Sequence, residues 1–433
     1  MATSERQARD RRAYVYLQMP QSLEVVTAGY HELDFPQGVA TGSFVYNPAY
    51  LGRADALPIE PYELPLSPRR ATTVRLRGIF GALRDASPDA WGRRIIEKHT
   101  GRVDLNEVDY LLHSPEDRAG ALSFGRGKKP PGPLHEFNQV VQLEALLAAA
   151  EAFLEQDKAG APDIPPQMFE LLHPGTSMGG ARPKNVVEDG EGLWLAKFPH
   201  PGDRWSNARV EGAMLALAAE CGIATAAYRL QDVAGEDVLL VKRFDRTRTA
   251  GGYFRHRMVS GLTMLGAEDT PGDRSKWSYL LLADELRRRS ALPAEDLAEL
   301  YRRMAFNALI SNNDDHPRNH ALLAPTDKWE LSPAYDLTPA PLVSQDKRDL
   351  AMVCGRYNRY ANRTNLLSEH AQFRLSSDRA RALVDQVQRV VAARWLPVLR
   401  QHGVSQADCD RLAPAFDYPG FELDPVTVLA AGD

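Results

Sequence analysis

The stretch from residue 305 to residue 336, AFNALISNNDDHPRNHALLAPTDKWELSPAYD, constrains this chain more than any other. An apolar run over residues 293–310 repeats with helical period, putting Leu297, Leu300, Tyr301, Met304 and Ala308 on one face. It delivers the chain into Asn312-Asn313-Asp314-Asp315-His316-Pro317-Arg318-Asn319, a polar cluster between two apolar runs. One reading is a surface loop, because Asn, Asp and Pro are turn formers. The other is a site, because carboxylate and amide oxygens recur here at fixed places. Asp314 and Asn319 lie in the cluster, and Asp336 closes Ser332-Pro333-Ala334-Tyr335-Asp336.

Asp314 stands five residues before Asn319, the D-x-x-x-x-N spacing of protein-kinase catalytic loops. In such a loop the Asp takes the proton of the attacking hydroxyl and the Asn holds Mg²⁺. Asp336 stands where a kinase keeps its other Mg²⁺ carboxylate. Phosphoryl transfer needs these groups because the protein positions the hydroxyl and lets Mg²⁺ neutralise phosphate charge. A metallohydrolase is a further reading, with Asp314, Asp315, His316 and His320 as ligands, but no second His or carboxylate cluster in the sequence matches them.

The chain has 433 residues, enough for two or three domains. At 44% hydrophobic and 25% charged it has an ordinary globular profile. A formal charge of −5 demands neither nucleic acid nor an anionic membrane. The three cysteines, Cys221, Cys354 and Cys409, are far apart and fit no zinc or disulfide pattern, which points to a reducing, cytoplasmic setting. The polar N-terminus predicts no signal peptide, and no apolar run approaches the roughly 18 residues of a membrane span.

Residues 13–18 and 40–47 read as strands, and Ser87-Pro88-Asp89 as a helix start for residues 90–98. Lys128-Lys129-Pro130-Pro131-Gly132-Pro133 is the clearest linker, so residues 1–127 are expected to form a small α/β unit. Residues 141–154 read as a helix. The segment Gly175-Thr176-Ser177-Met178-Gly179-Gly180-Ala181-Arg182-Pro183-Lys184 then suits a backbone that approaches phosphate oxygens, although it is neither a Walker A loop nor G-x-G-x-x-G. A plain turn is the competing reading. Its context favours phosphate: residues 193–198 read as a strand carrying Lys197, and Glu211 opens an apolar helix that Gly222 stops. Loop, strand lysine and helix glutamate follow the order of a kinase N-lobe. Residues 237–244 form a further strand, which places an adenine-contacting hinge at Lys242 to Phe244. Residues 128–250 would complete the nucleotide-binding part, and residues 251–433 a helical lobe. That lobe has helices at 278–288, 293–310 and 377–396, with Pro397 ending or kinking the last.

Taken together, Ser177 to Lys184, Lys197, Asn312 to Asn319 and Ser332 to Asp336 resemble the HipA family of serine/threonine kinase toxins. Gly120-Ala121-Leu122-Ser123-Phe124 and the 80–96 segment resemble that family's N-terminal coupling subdomain. The resemblance implies an α+β, protein-kinase-like two-lobed fold, with a mixed α/β N-terminal part, a mainly helical C-terminal lobe, and ATP and Mg²⁺ between them. It implies phosphorylation of a serine on a cytoplasmic protein, in known cases an aminoacyl-tRNA synthetase, and growth arrest. It also implies a small HipB-like helix-turn-helix antitoxin, with DNA contacted only through that partner. By this resemblance Asp314 is the catalytic base, and Asn319 and Asp336 hold Mg²⁺. Ser177, Met178, Gly179, Gly180, Ala181, Lys184, Lys197, Glu211, Lys242, Phe244 and His316 serve the nucleotide, and Ser177 is autophosphorylated. Glu211 as the partner of Lys197 comes by analogy with protein kinases. A kinase-shaped module that docks an antitoxin–DNA complex with little catalysis is the alternative.

Overall fold

The computed structural model describes residues 11–132, 137–160, 164–173, 180–341 and 344–426. The chain divides into two compact units, each assembled from separated stretches. The first comprises Met1–Gly202, Gln231–Val259 and Leu323–Asp327. The second comprises Asp203–Leu230, Ser260–Leu322 and Lys328–Asp433.

The first unit holds two five-stranded sheets. One has the order β4-β3-β2-β1-β5, from β1 (Arg12–Gln18), β2 (Val25–Asp34), β3 (Thr41–Tyr46), β4 (Ala71–Thr73) and β5 (Leu122–Gly125). β1 and β3 lie where aromatic and β-branched residues predict strands, and Ala13, Val15 and Leu17 are fully buried. β2 also carries such residues, Val25, Val26, Thr27 and Tyr30, but without a clean alternation. Its period-2 pattern is broken by a bulge opposite Val15 and Tyr16 and by Gly29, where a Cβ would meet the Val45 carbonyl at 2.3 Å.

The other sheet has the order β6-β7-β8-β10-β9, from β6 (Asn138–Gln139), β7 (Lys184–Asp189), β8 (Gly192–Lys197), β9 (Tyr228–Val233) and β10 (Glu236–Lys242). Helices Ala90–Thr100 and Leu143–Lys158 share a core with it, through Trp91, Ile95, Leu146, Phe153, Trp194 and Leu240. Just past β10, Arg243 and Arg246 enter a buried cluster with Asp117 and Asp245. Arg246 lies 2.8 Å from each carboxylate, and Arg243 lies 2.8 Å from Asp245. The two guanidinium groups hold both carboxyls below their usual range despite full burial. This fixes the end of β10, while Lys242 and Phe244 on either side of Arg243 stay half-buried.

The second unit is mainly helical. Helix Asn207–Glu220 begins on the Ser206 hydroxyl and ends at Gly222, whose φ of +80° suits glycine. It packs on helix Ser377–Gln401 through Arg394–Glu220 at 2.7 Å, and just past that helix His402 lies 2.6 Å from the hydroxyl of Tyr228. The 377–401 helix continues through Pro397 rather than ending there. The lost N–H is one bond, and the next turn closes with the His402 N–H on the Val398 carbonyl at 3.1 Å. Helices Tyr279–Arg289 and Pro293–Leu309 match their predicted spans to within a residue. Among the described residues no helix is long and apolar enough to cross a membrane.

Candidate active site

Helix Pro293–Leu309 is buried along its inner face, and its end aims the chain at the polar cluster. Ser311 turns out of the helix with φ +53°, and the Asn312 N–H returns to the Asn307 carbonyl at 2.9 Å. Asn312 and Asn307 are both buried, unusual for amides unless hydrogen-bonded. Their bonds form a chain. Asn312 Nδ2 donates to Asn307 Oδ1 at 3.1 Å, Asn307 Nδ2 donates to Tyr279 Oη at 2.9 Å, and the Tyr279 hydroxyl donates to Asp315 Oδ2 at 2.7 Å. The Ala351 N–H donates to Asp315 Oδ1. At the other end Asn312 Oδ1 accepts the Asp314 N–H at 3.2 Å.

This chain separates the two adjacent aspartates. Asp315 is 1% exposed, and burial pushes its carboxyl up to about 7. It is a pillar of the loop rather than a group facing solvent. Asp314 is exposed. Its pKa is also raised, first by partial desolvation and then by the charge of Asp336. Asn319 Nδ2 donates to the Asp314 carbonyl at 2.9 Å, which leaves its amide oxygen as the atom suited to a cation. Asn319 and Asp336 line one pocket with Asn307, Asn312, Asp315 and His320, while Asp314 joins them from the exposed side of the loop through the Asn319 bond and the charge of Asp336. Asp336 has φ +57°, a left-handed conformation that Asp tolerates better than most residues. Neighbours fix it there: the Ala334 N–H donates to the Ala224 carbonyl at 2.7 Å, and the Tyr335 hydroxyl to the Arg318 carbonyl at 2.8 Å.

The site therefore brings Asp314, Asn319 and Asp336 together. Hard oxygen donors, with only one or two carboxylates, suit Mg²⁺, which keeps waters and takes phosphate oxygens as its other ligands. The mutual repulsion of Asp314 and Asp336 is the observation that favours a cation beside them. His316 stands edge-on to Trp277 at 4.2 Å, with Nε2 3.0 Å from Asp269, whose carboxyl is held down to about 2 chiefly by that imidazole. His320 is buried and kept neutral by desolvation, its pKa pushed down to about 3. The metallohydrolase ligand set is not assembled. Asp315 is spent on Tyr279 and Ala351, and among the described residues no three His, Cys, Asp or Glu side chains stand at metal-binding spacing.

The remaining expected residues divide between the units. Ser177, Met178 and Gly179 lie outside the described residues. In the first unit, Gly180 (φ +92°) and Ala181 are exposed at the end of the loop. Lys184 is 3% exposed. Its ammonium lies 2.6 Å from Asp89 and 2.9 Å from the Gly180 carbonyl, so it ties the loop's end to the Ala90–Thr100 helix that Asp89 caps. Lys197 sits directly across the ladder from Lys184, half-buried. Lys242 lies over the Trp194 ring at 5.6 Å. Glu211 belongs to the second unit, buried in the Asn207–Glu220 helix. Sequence reasoning missed Asp89, Asp269, Tyr279 and Asn307. Asp89 shows in the sequence only as a helix start, Asn307 only as an amide on an apolar helix, and the other two leave no trace.

Residues 176–395 match the HipA-like C-terminal domain, and residues 29–125 match the HipA N-terminal domain. A protein of Sinorhizobium fredii named "Putative kinase Y4mE" is 26% identical over 341 residues, covering 72% of this chain and 76% of that one. A second from the same organism, "Putative kinase Y4dM", is 28% identical over 160 residues, 34% of this chain and 37% of the other. Among solved structures, HipA of Shewanella oneidensis, from a complex with HipB and operator DNA, superposes with a TM-score of 0.66 at 17% identity. It covers 94% of this chain and 98% of that one, which shows a shared α+β, kinase-like fold. With family matches over both its N-terminal and C-terminal parts, the chain belongs to the HipA family.

Proposed function

We propose that this chain is an ATP-dependent serine/threonine protein kinase of the HipA toxin type. The observation that carries the reading is the division of labour between Asp314 and Asp315. One carboxylate is exposed with a raised pKa beside a second carboxylate, and the other is buried to hold the loop. A raised pKa makes the ionised Asp314 a better proton acceptor at neutral pH. In the proposed step Asp314 orients the substrate hydroxyl and accepts its proton as the hydroxyl oxygen bonds to the γ-phosphorus and ADP leaves. Asn319 and Asp336 would hold Mg²⁺, which neutralises phosphate charge when bound. Lys197 would pair with phosphates, and Glu211 would serve the nucleotide from its own helix. Ser177 to Ala181 would cover them, with Lys184 anchoring that loop through Gly180. Backbone groups at Lys242 to Phe244 would meet the adenine, and His316, held by Asp269, would border the nucleotide.

The kinase names of the relatives and the family membership support this reading. The Shewanella relative's complex supports a HipB-like antitoxin as partner, with DNA reached through it. The substrate is a cytoplasmic protein, by family analogy an aminoacyl-tRNA synthetase, and Ser177 is the autophosphorylation site. The test is expression without antitoxin together with ATP-dependent labelling of lysate protein. Growth arrest and a labelled substrate are expected. Antitoxin–DNA binding without any label would instead establish the docking module.

A further inference from the structure

Beside the catalytic loop lies a second pocket, about 150 Å³, lined by Asn312 and Asn313 on one side and by Lys347, Arg348 and Asp349 on the other. A volume of that order admits one benzene-sized group. Asn313 precedes Asp314 directly, and Asn312 also lines the pocket of Asn319 and Asp336, so the two pockets share a wall.

The charges of this pocket are unbalanced. Arg348 is 5% exposed, and every one of its acceptors is neutral: the Ser311 hydroxyl, the Gln345 amide, and the carbonyls of Ser344, Pro414, Ala415 and Asp417. No carboxylate among the described residues pairs with it, and burial lowers its pKa, with only partial relief from Tyr418 and Asp417. A buried charge ordinarily has a counter-charge. Lys347 is exposed, and its ammonium makes no hydrogen bond or ion pair among the described residues. The acidic lining residue, Asp349, already faces Arg359 at 3.7 Å.

Resting on the kinase reading, we propose that this pocket binds an acidic side chain flanking the phosphorylated serine or threonine, with Lys347 as its specificity-determining contact. Arg348 has no donor left for a ligand, so it supplies field, while Lys347 has all three N–H donors for a carboxylate. Successive residues of an extended peptide advance about 3.3–3.6 Å. A hydroxyl held at Asp314 would therefore present a neighbouring side chain to a pocket walled by Asn313. The whole chain carries −5, so general attraction cannot produce such a preference.

The test uses the full chain and two short peptides with a central serine flanked by Glu in one and by Lys in the other. Binding is measured by calorimetry at about 0.15 M salt, where the Debye length is about 8 Å. The acidic peptide should bind about 5-fold more tightly, in line with one solvent-exposed ion pair. Lys347→Glu should reverse the order. Equal affinities, no binding of the acidic peptide, or an order unchanged by Lys347→Glu would overturn the proposal. Phosphorylation is read separately with Mg²⁺ and ATP. A charge preference without phosphoryl transfer would remove the kinase reading and leave the pocket standing. Transfer without preference would do the reverse.

Discussion

Replacing Asp315 with Asn probes the pillar of the catalytic loop. In the wild type both carboxylate oxygens accept bonds, from the Tyr279 hydroxyl at 2.7 Å and from the Ala351 N–H. Asn offers one oxygen, so its NH₂ must face a donor, and one buried donor loses its partner at about 1–3 kcal/mol. That cost should change with pH. A carboxyl that titrates near 4 unfolded and about 7 folded takes up a proton on folding, so its folded-state pKa is raised. Such a group disfavours the fold increasingly as pH rises from the unfolded value through the folded one. Linkage between those two values gives about 2.5 kcal/mol of lost stability between pH 5 and pH 8. Asn cannot ionise and escapes this loss. Urea unfolding of both proteins at pH 5 and pH 8 is the assay. Asp315→Asn should be clearly destabilising at pH 5 and close to neutral at pH 8. A stability difference that stays constant with pH would refute the buried, proton-binding Asp315.

Three further outcomes follow from the same geometry. Asp336→Asn removes the charge that helps raise Asp314, so in metal-free protein the Asp314 carboxyl, followed by NMR titration, should titrate at lower pH than in wild type, and an unshifted titration would contradict their coupling. Lys184→Met strands Asp89 in the core and should cost about 3–5 kcal/mol in urea unfolding, as broken buried ion pairs do. After incubation with Mg²⁺ and ATP, peptide mass spectrometry should find one phosphate on Ser177 in wild type and none in Asp314→Asn. An unmodified Ser177 in an active enzyme would defeat its self-regulatory role.

The sequence made local features legible where one period or one cap dominates. Helix Pro293–Leu309 shows its apolar stripe, and Gly222 marks a helix end to the residue. The cluster of Asp314, Asn319 and Asp336 was visible because two of its members are five residues apart. What stayed hidden depends on long-range folding. Asp89 meets Lys184 across 95 positions, and Tyr279 meets Asp315 across 36, so no spacing rule links them. The Asn319 spacing selects Asp314 over Asp315 in the sequence, but the structural role of Asp315 appears only in the fold, where it is 1% exposed and Asp314 is exposed. Of the two outcomes that Pro397 suggests, an end or a kink, the end does not occur: in a long packed helix, tertiary contacts outweigh one lost hydrogen bond.

The most direct test of the central claim is transfer of labelled γ-phosphate from ATP by purified wild type, Asp314→Asn and Asp315→Asn, with each variant's fold checked by unfolding. Wild type should label itself or a lysate protein, and Asp314→Asn should lose about 10²–10⁴ in rate while remaining folded. Asp315→Asn should lose far less once folded at pH 8. A folded Asp314→Asn that labels as fast as wild type, or a wild type that never labels anything, would contradict the account.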